Sequence, residues 1–133
     1  MSEPLQSALL AVIELVPAAK SALAEAGAHL DASQRKAPFK FSGKLDDGKV
    51  FHDRDLEELE RLLKPLQKII RDGERTEVIV DEGYVDESWI QTILIPEARE
   101  LQETCAPLFQ LRDALRHVRD LRRVDRIYSQ LAH

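Results

Sequence analysis

The sequence predicts one α+β domain that is mostly helical, with three helical segments packed on a small antiparallel sheet of two short hairpins. Three runs of apolar residues recur every three or four positions, which is the spacing of one helix face. Between these runs lie short segments rich in β-branched and aromatic residues. The length of 133 residues fits a single domain, residues 1–133. A nearly all-helical bundle with one hairpin is the alternative.

The first predicted helix begins near Pro4, a residue that suits the first helical turn. Its apolar stripe advances by four and three residues in alternation: Leu5, Leu9, Val12, Val16, Ala19, Leu23, Ala26 and Leu30. Pro17 lies inside this run, and a proline within a helix costs about 3 kcal/mol and usually kinks it. Because the stripe keeps its phase across Pro17, we expect two nearly continuous helical pieces with one buried face.

An Asp-Gly turn between alternating residues predicts the first hairpin. Phe39 and Phe41 alternate with polar neighbours, Asp47 and Gly48 supply the turn, and Val50 follows. We therefore expect short strands near residues 38–43 and 49–52.

The second predicted helix begins at a capping pattern, in which Asp55 caps the first turn and Glu58 reaches back to it. Gly73 has the position of a C-terminal helix stop, and Pro65 interrupts the helix as Pro17 does the first. The residues that should face the core are Leu56, Leu59, Leu63, Leu66 and Ile70.

A second hairpin is predicted across residues 77–95. Residues 77–81 are a short β-rich run, while residues 88–95 allow two interpretations. Their β-forming side chains and the proline after Ile95 favour a strand. Ser88 with Gln91 could instead cap a helix that joins the last one. We prefer the strand.

The last helix, Pro96 to Leu131, carries two stripes and is the most informative segment of the chain. Its apolar stripe is expected to form one face, comprising Leu101, Cys105, Leu108, Leu111, Leu115, Val118, Leu121, Val124, Tyr128 and Leu131. Five arginines share a neighbouring sector, which we call the arginine stripe: Arg112, Arg116, Arg119, Arg123 and Arg126.

The arginine stripe is a candidate docking surface for an anionic partner, because the guanidinium group binds carboxylate and phosphate through paired hydrogen bonds. The competing interpretation is neutralisation within the chain. Asp113, Asp120 and Asp125 lie on the same helix, and the acids of residues 72–87 or of the second helix could lie opposite it. A nucleic-acid backbone is a second possible partner, although aspartates interleave with the arginines and few aromatic residues are available for base stacking.

Catalytic and metal-binding patterns are not found in the sequence, so we expect no enzyme activity, no metal and no cofactor. The acidic loop at residues 81–87 does not match a calcium-binding loop. Tyr84 and Trp89 beside it form a possible secondary contact patch. Cys105 lies in the apolar stripe and is expected to be an inert core residue.

The net charge of −5 argues against a general nucleic-acid binder, and the single cysteine indicates a reduced, cytoplasmic protein. Glu3 and Glu14 interrupt the first apolar run, so neither a secretory signal nor a membrane span is predicted. We expect a non-enzymatic protein–protein interaction module, such as an adaptor, an immunity or antitoxin-like partner, or a dedicated chaperone. Its partner should be a protein with an acidic surface. We also expect a homodimer through the first apolar stripe or the last helix.

Overall fold

The chain forms three helices and one β-hairpin in a computed structural model that describes residues 3–31, 53–80 and 88–131; the side chains of residues 79, 80, 88 and 89 are not described. Helix α1 spans Glu3–Gly27 and helix α2 spans Asp53–Asp72. Strands β1 (Glu74–Val80) and β2 (Ser88–Leu94) follow, and helix α3 spans Pro96–Leu131. The prediction of a mostly helical α+β fold is confirmed.

The second hairpin is present as predicted, and residues 88–94 are a strand rather than a helix. Strands β1 and β2 pair antiparallel, with Glu74 opposite Leu94 and Val78 opposite Ile90. The first predicted hairpin, at residues 38–43 and 49–52, lies outside the described residues, as does the whole acidic loop at residues 81–87 with Tyr84.

Helix α3 is the central element of the core, since both α1 and α2 pack against it. The predicted stripes of α1 and α2 are buried, with Leu9 half-buried. From α3 the buried residues are Ala98, Leu101, Cys105, Leu108, Leu111, Leu115 and Val118. The hydrophobic effect at this three-helix contact therefore holds the described fold together.

Three prolines lie inside helices instead of ending them: Pro17 in α1, Pro65 in α2 and Pro107 in α3. Each removes one backbone donor from its helix. The core residues on both sides of each proline are buried, so packing on a shared face offsets the lost hydrogen bond.

Gly73 joins α2 to the hairpin and to α3. Its N–H donates to the carbonyl oxygens of Ile69 and Ile70 (3.2 and 3.1 Å), and its own carbonyl accepts from the N–H of Ile95 at 2.9 Å. A Cβ atom added at Gly73 would lie 2.3 Å from the Cβ of Ala98. Glycine is therefore required at this junction by a close approach of two segments, in addition to its role as a helix stop.

Helix α1 is long and apolar enough to cross a membrane, judged by length and composition alone. This finding corrects the expectation that no apolar stretch reaches the required length, because Glu3 lies at the helix start and only Glu14 and Lys20 are charged between it and Glu25. The inward residues of α1 belong to the core described above. The core helix of a soluble protein and an N-terminal signal sequence can have this length and composition too. Length and composition therefore do not distinguish a membrane span from either of them.

The apolar stripe of α3 does not stay on one face, contrary to the sequence-based expectation. After Leu115 the stripe advances by three residues at a time, through Val118 and Leu121 to Val124. Each such step falls about 60° short of a full turn, so Val124 lies about two and a half turns after Leu115 and on the opposite face. Leu121 is half-buried, and Val124 and the later apolar residues are exposed.

Helix α3 thus has two parts, which we call the core segment (residues 96–118) and the end segment (residues 119–131). At 36 residues α3 is about 54 Å long, whereas α1, at 25 residues, is about 37 Å long. The difference in length explains why α1 cannot cover both parts of α3.

Candidate functional site

The arginine stripe divides into three residues that have partners within the chain and two that have none among the described residues. Arg112 pairs with Asp113, with Nε and one terminal nitrogen both 3.1 Å from Oδ1. Its guanidinium carbon also lies 5.1 Å from the centre of the Phe109 ring, which adds a cation–π contact. The Arg112 side chain is consequently only 19% exposed, and it has little surface to offer a partner.

Arg116 connects two helices. Its Nε and one terminal nitrogen donate to Oε1 of Glu60 on α2, at 3.2 and 3.1 Å. Both side chains remain about two-fifths exposed, at 44% and 41%. Arg116 is therefore paired with an acid of the second helix, which was one of the sequence-based interpretations of the arginine stripe.

Arg119 resembles Arg112 in pairing with the next residue along the helix. Its Nε donates to Oδ1 of Asp120 at 3.2 Å. Both pairs agree with the sequence-based interpretation that aspartates of the same helix neutralise part of the stripe, although adjacent residues on a helix do not normally face each other.

Arg123 and Arg126 are exposed and make no hydrogen bond or ion pair within the described part of the chain. They lie on the same sector as the three paired arginines, one and two turns beyond Arg119. The end segment therefore presents two guanidinium groups whose donors are available to a ligand.

An exposed apolar face lies beside these two arginines. We call it the tip face; it consists of Val124, Ile127, Tyr128 and Leu131. Tyr128 is 68% exposed and Leu131 76% exposed, far above the level of the core leucines. Sequence analysis missed Ile127 and assigned the other three residues to the core stripe, although the successive three-residue steps after Leu115 were a visible signal of the change of face.

The remaining sequence-based candidates offer less. Tyr84 lies outside the described residues, and the side chain of Trp89 is among those not described. Within residues 3–31, 53–80 and 88–131, no group of three or more His, Cys, Asp or Glu side chains could hold a metal ion. Burial raises the pKa of the Cys105 thiol to about 11, so at neutral pH it is not a thiolate nucleophile.

Asp55, the predicted cap of α2, is instead in the first turn of a helix that begins two residues earlier. It is the one charged side chain buried in the described part of the chain. Its polar atoms are not left unsatisfied, since no buried side-chain nitrogen or oxygen among the described residues lacks a hydrogen bond. The burial of the Asp55 carboxylate is therefore accompanied by hydrogen bonding and does not indicate a ligand site.

No family model, curated protein or solved structure matches the chain. The functional conclusion therefore depends on the chemistry of the end segment itself.

Proposed function

We propose that the protein is a non-enzymatic protein-interaction module that binds an acidic partner through the end segment of α3. The observation that carries this proposal is the conjunction of the exposed tip face with Arg123 and Arg126 on one helix end. Contiguous exposed apolar residues rimmed by polar groups are typical of protein-binding surfaces, and aromatic and arginine residues supply most binding hot spots.

The chemistry of the end segment defines the partner. The tip face fits an apolar groove, in the way that an amphipathic helix lies in the groove of its receptor. Carboxylates at the edge of that groove would pair with Arg123 and Arg126. Such charge-assisted hydrogen bonds would also fix the orientation of the helix in the groove.

A nucleic-acid backbone is the less favoured partner for this surface. The affinity of a protein for nucleic acid grows with the number of phosphates that its basic residues neutralise. Arg112, Arg116 and Arg119 already pair with carboxylates, and phosphates do not need the exposed apolar side chains of the tip face.

The proposal is tested by capture from a lysate of the source cells with the full chain immobilised. The test variant is Arg123→Glu with Arg126→Glu. The matched control is Arg54→Glu with Arg61→Glu, which makes the same charge change at two exposed arginines of α2. Proteins captured by the wild type and the control, but lost with the test variant, are the expected result.

Two further measurements make the result interpretable. Thermal unfolding followed by circular dichroism should show that both variants remain folded, since exposed charges contribute little to stability. Nuclease treatment of the lysate separates the two partner classes. Captured sets that are identical for the test variant and the wild type would contradict the proposal, and capture that depends on nucleic acid would support the alternative.

A further inference from the structure

The two-stranded sheet has open edges within the described part of the chain, where β1 and β2 pair only with each other. A two-stranded sheet is marginally stable in water, and independent stability generally needs a third strand or a covering helix. Within the described residues the main contact of this sheet with a helix is a small one between β2 and α3, and Leu94 of β2 packs against the core. Val78 and Ile90 are partners in the strand register, so their side chains lie side by side on one face of the sheet, where they are 61% and 72% exposed.

The hydrogen-bond pattern identifies which backbone groups point toward the open edge of β2. The N–H of Ile95 donates to the carbonyl of Gly73, one position beyond the register of the strands. In an antiparallel pair, hydrogen-bonded and non-hydrogen-bonded residue pairs alternate. Gln91 and Ile93 therefore bond to β1, whereas the backbone groups of Ile90 and Thr92 point away from it.

The two edges differ in chemistry. Strand β1 carries the charged residues Glu74, Arg75 and Glu77, whereas β2 contains no charged residue and no proline in Ser88–Leu94. Natural sheets protect their edges with charges, prolines or bulges, since an unprotected edge pairs with other strands. The β2 edge therefore lacks these protective residues, whereas the charged side chains of β1 protect the β1 edge against pairing with another strand.

We propose that β2 pairs antiparallel with β2 of a second copy of this chain, forming a continuous four-stranded sheet across a two-fold axis. A two-fold axis at Gln91 places Ile90 opposite Thr92 of the partner subunit and gives the longest overlap. The outward N–H and C=O groups then meet in pairs. At the two-fold axis a residue meets its own copy, so an uncharged strand suits this arrangement, whereas β1 centred on Glu77 would bring two like charges together.

The first test is the mass in solution, measured by light scattering behind a sizing column over a range of concentrations. The wild type should approach twice the chain mass of 15.1 kDa as concentration rises. Thr92→Pro removes one outward N–H without breaking the ladder to β1, and it should return the protein to the monomer mass. The matched control is Thr76→Pro, because Thr76 lies directly opposite Thr92 and its N–H points to the other edge.

A second test uses a cysteine at the proposed axis and does not require a proline to be tolerated. Two Gln91 residues would face each other as a non-hydrogen-bonded pair, with Cα atoms about 4.5 Å apart, which is within the range of a disulfide. Gln91→Cys should form a covalent dimer on mild oxidation. Glu77→Cys, at the position opposite Gln91 on β1, should not. The native Cys105 is fully buried and does not interfere.

Several results would overturn this proposal. They are a wild type that stays monomeric at all concentrations, a dimer that survives Thr92→Pro and is lost with Thr76→Pro, or a Gln91→Cys variant that forms no covalent dimer. Intrachain pairing of β2 with a strand predicted at residues 38–43 or 49–52 would give the first result. Loss of the dimer in the Arg123→Glu, Arg126→Glu variant would place the contact on α3 instead, so this test is independent of the proposed function.

Discussion

The core segment and the end segment of α3 belong to one uninterrupted helix and have opposite surroundings. In the core segment the apolar residues face α1 and α2, and Leu101, Leu108 and Leu111 are almost completely buried. In the end segment the apolar residues after Leu121 are exposed, and Arg123 and Arg126 beside them make no ion pair among the described residues. The comparison shows that helical spacing identifies a face, while the length of the neighbouring helices decides whether that face is covered.

The largest effect that separates the two segments should come from leucine truncation. Leu108→Ala removes a fully buried side chain from the core segment and should lower the free energy of unfolding by about 2–5 kcal/mol. The control, Leu131→Ala in the end segment, should change it by less than about 0.5 kcal/mol. Urea unfolding followed by circular dichroism measures both. Equal losses would mean that the end segment is part of the core.

A smaller difference should appear in the pH dependence of stability, because Cys105 belongs to the core segment. Its thiol has a pKa of about 11 in the folded chain, raised by burial from 9.0. Between these values the unfolded chain loses a proton that the folded chain keeps. Stability from this group is therefore complete below pH 9 and falls as the pH rises toward 11, by about 2–3 kcal/mol.

The measurement is the free energy of unfolding at pH 8 and at pH 11, under reducing conditions, for the wild type and Cys105→Ala. The wild type should lose about 2–3 kcal/mol more than the variant over this interval. Parallel losses would contradict the assignment. A cysteine placed in the end segment by Ser129→Cys provides the comparison, since an exposed thiol should react with an alkylating reagent at pH 8 while Cys105 stays protected.

The smallest effect should be found where the two segments meet, at the ion pair between Arg116 and Glu60. Both partners are partly exposed, so a double-mutant cycle with Arg116→Ala and Glu60→Ala should give a coupling energy of about 0–1 kcal/mol. Arg123→Ala should have almost no effect on unfolding. A coupling energy well above 2 kcal/mol would show that this pair holds α2 and α3 together.

Much of the fold could be predicted from the sequence because burial follows periodicity. The predicted stripes of α1, from Leu5 to Ala26, and of α2, from Leu56 to Ile70, lie in the observed core, with Leu9 half-buried and with Leu62 as an additional core residue. Strand β2 was ambiguous because short apolar runs fit either period, and the pairing with β1 resolved it.

The surface could be predicted only in part, because surfaces depend on the distances between elements. The contact of Arg116 with Glu60 requires the placement of α2 against α3, and no spacing within one helix reveals it. The open edge of β2 likewise follows from the order of strands in the sheet. The change of face after Leu115 was different: it was encoded in the residue spacing and could have been predicted.

The close approach of Gly73 to Ala98 limits how the sequence of this protein can change during evolution. A side chain at position 73 would meet the Cβ of the buried Ala98, so position 73 is expected to stay glycine as long as position 98 carries a side chain. Surface residues and even core leucines can be exchanged for others of similar volume. A glycine between a helix and a strand, matched to an alanine in the first turn of the following long helix, is therefore a pattern by which distant relatives of this chain could be recognised after overall similarity is lost.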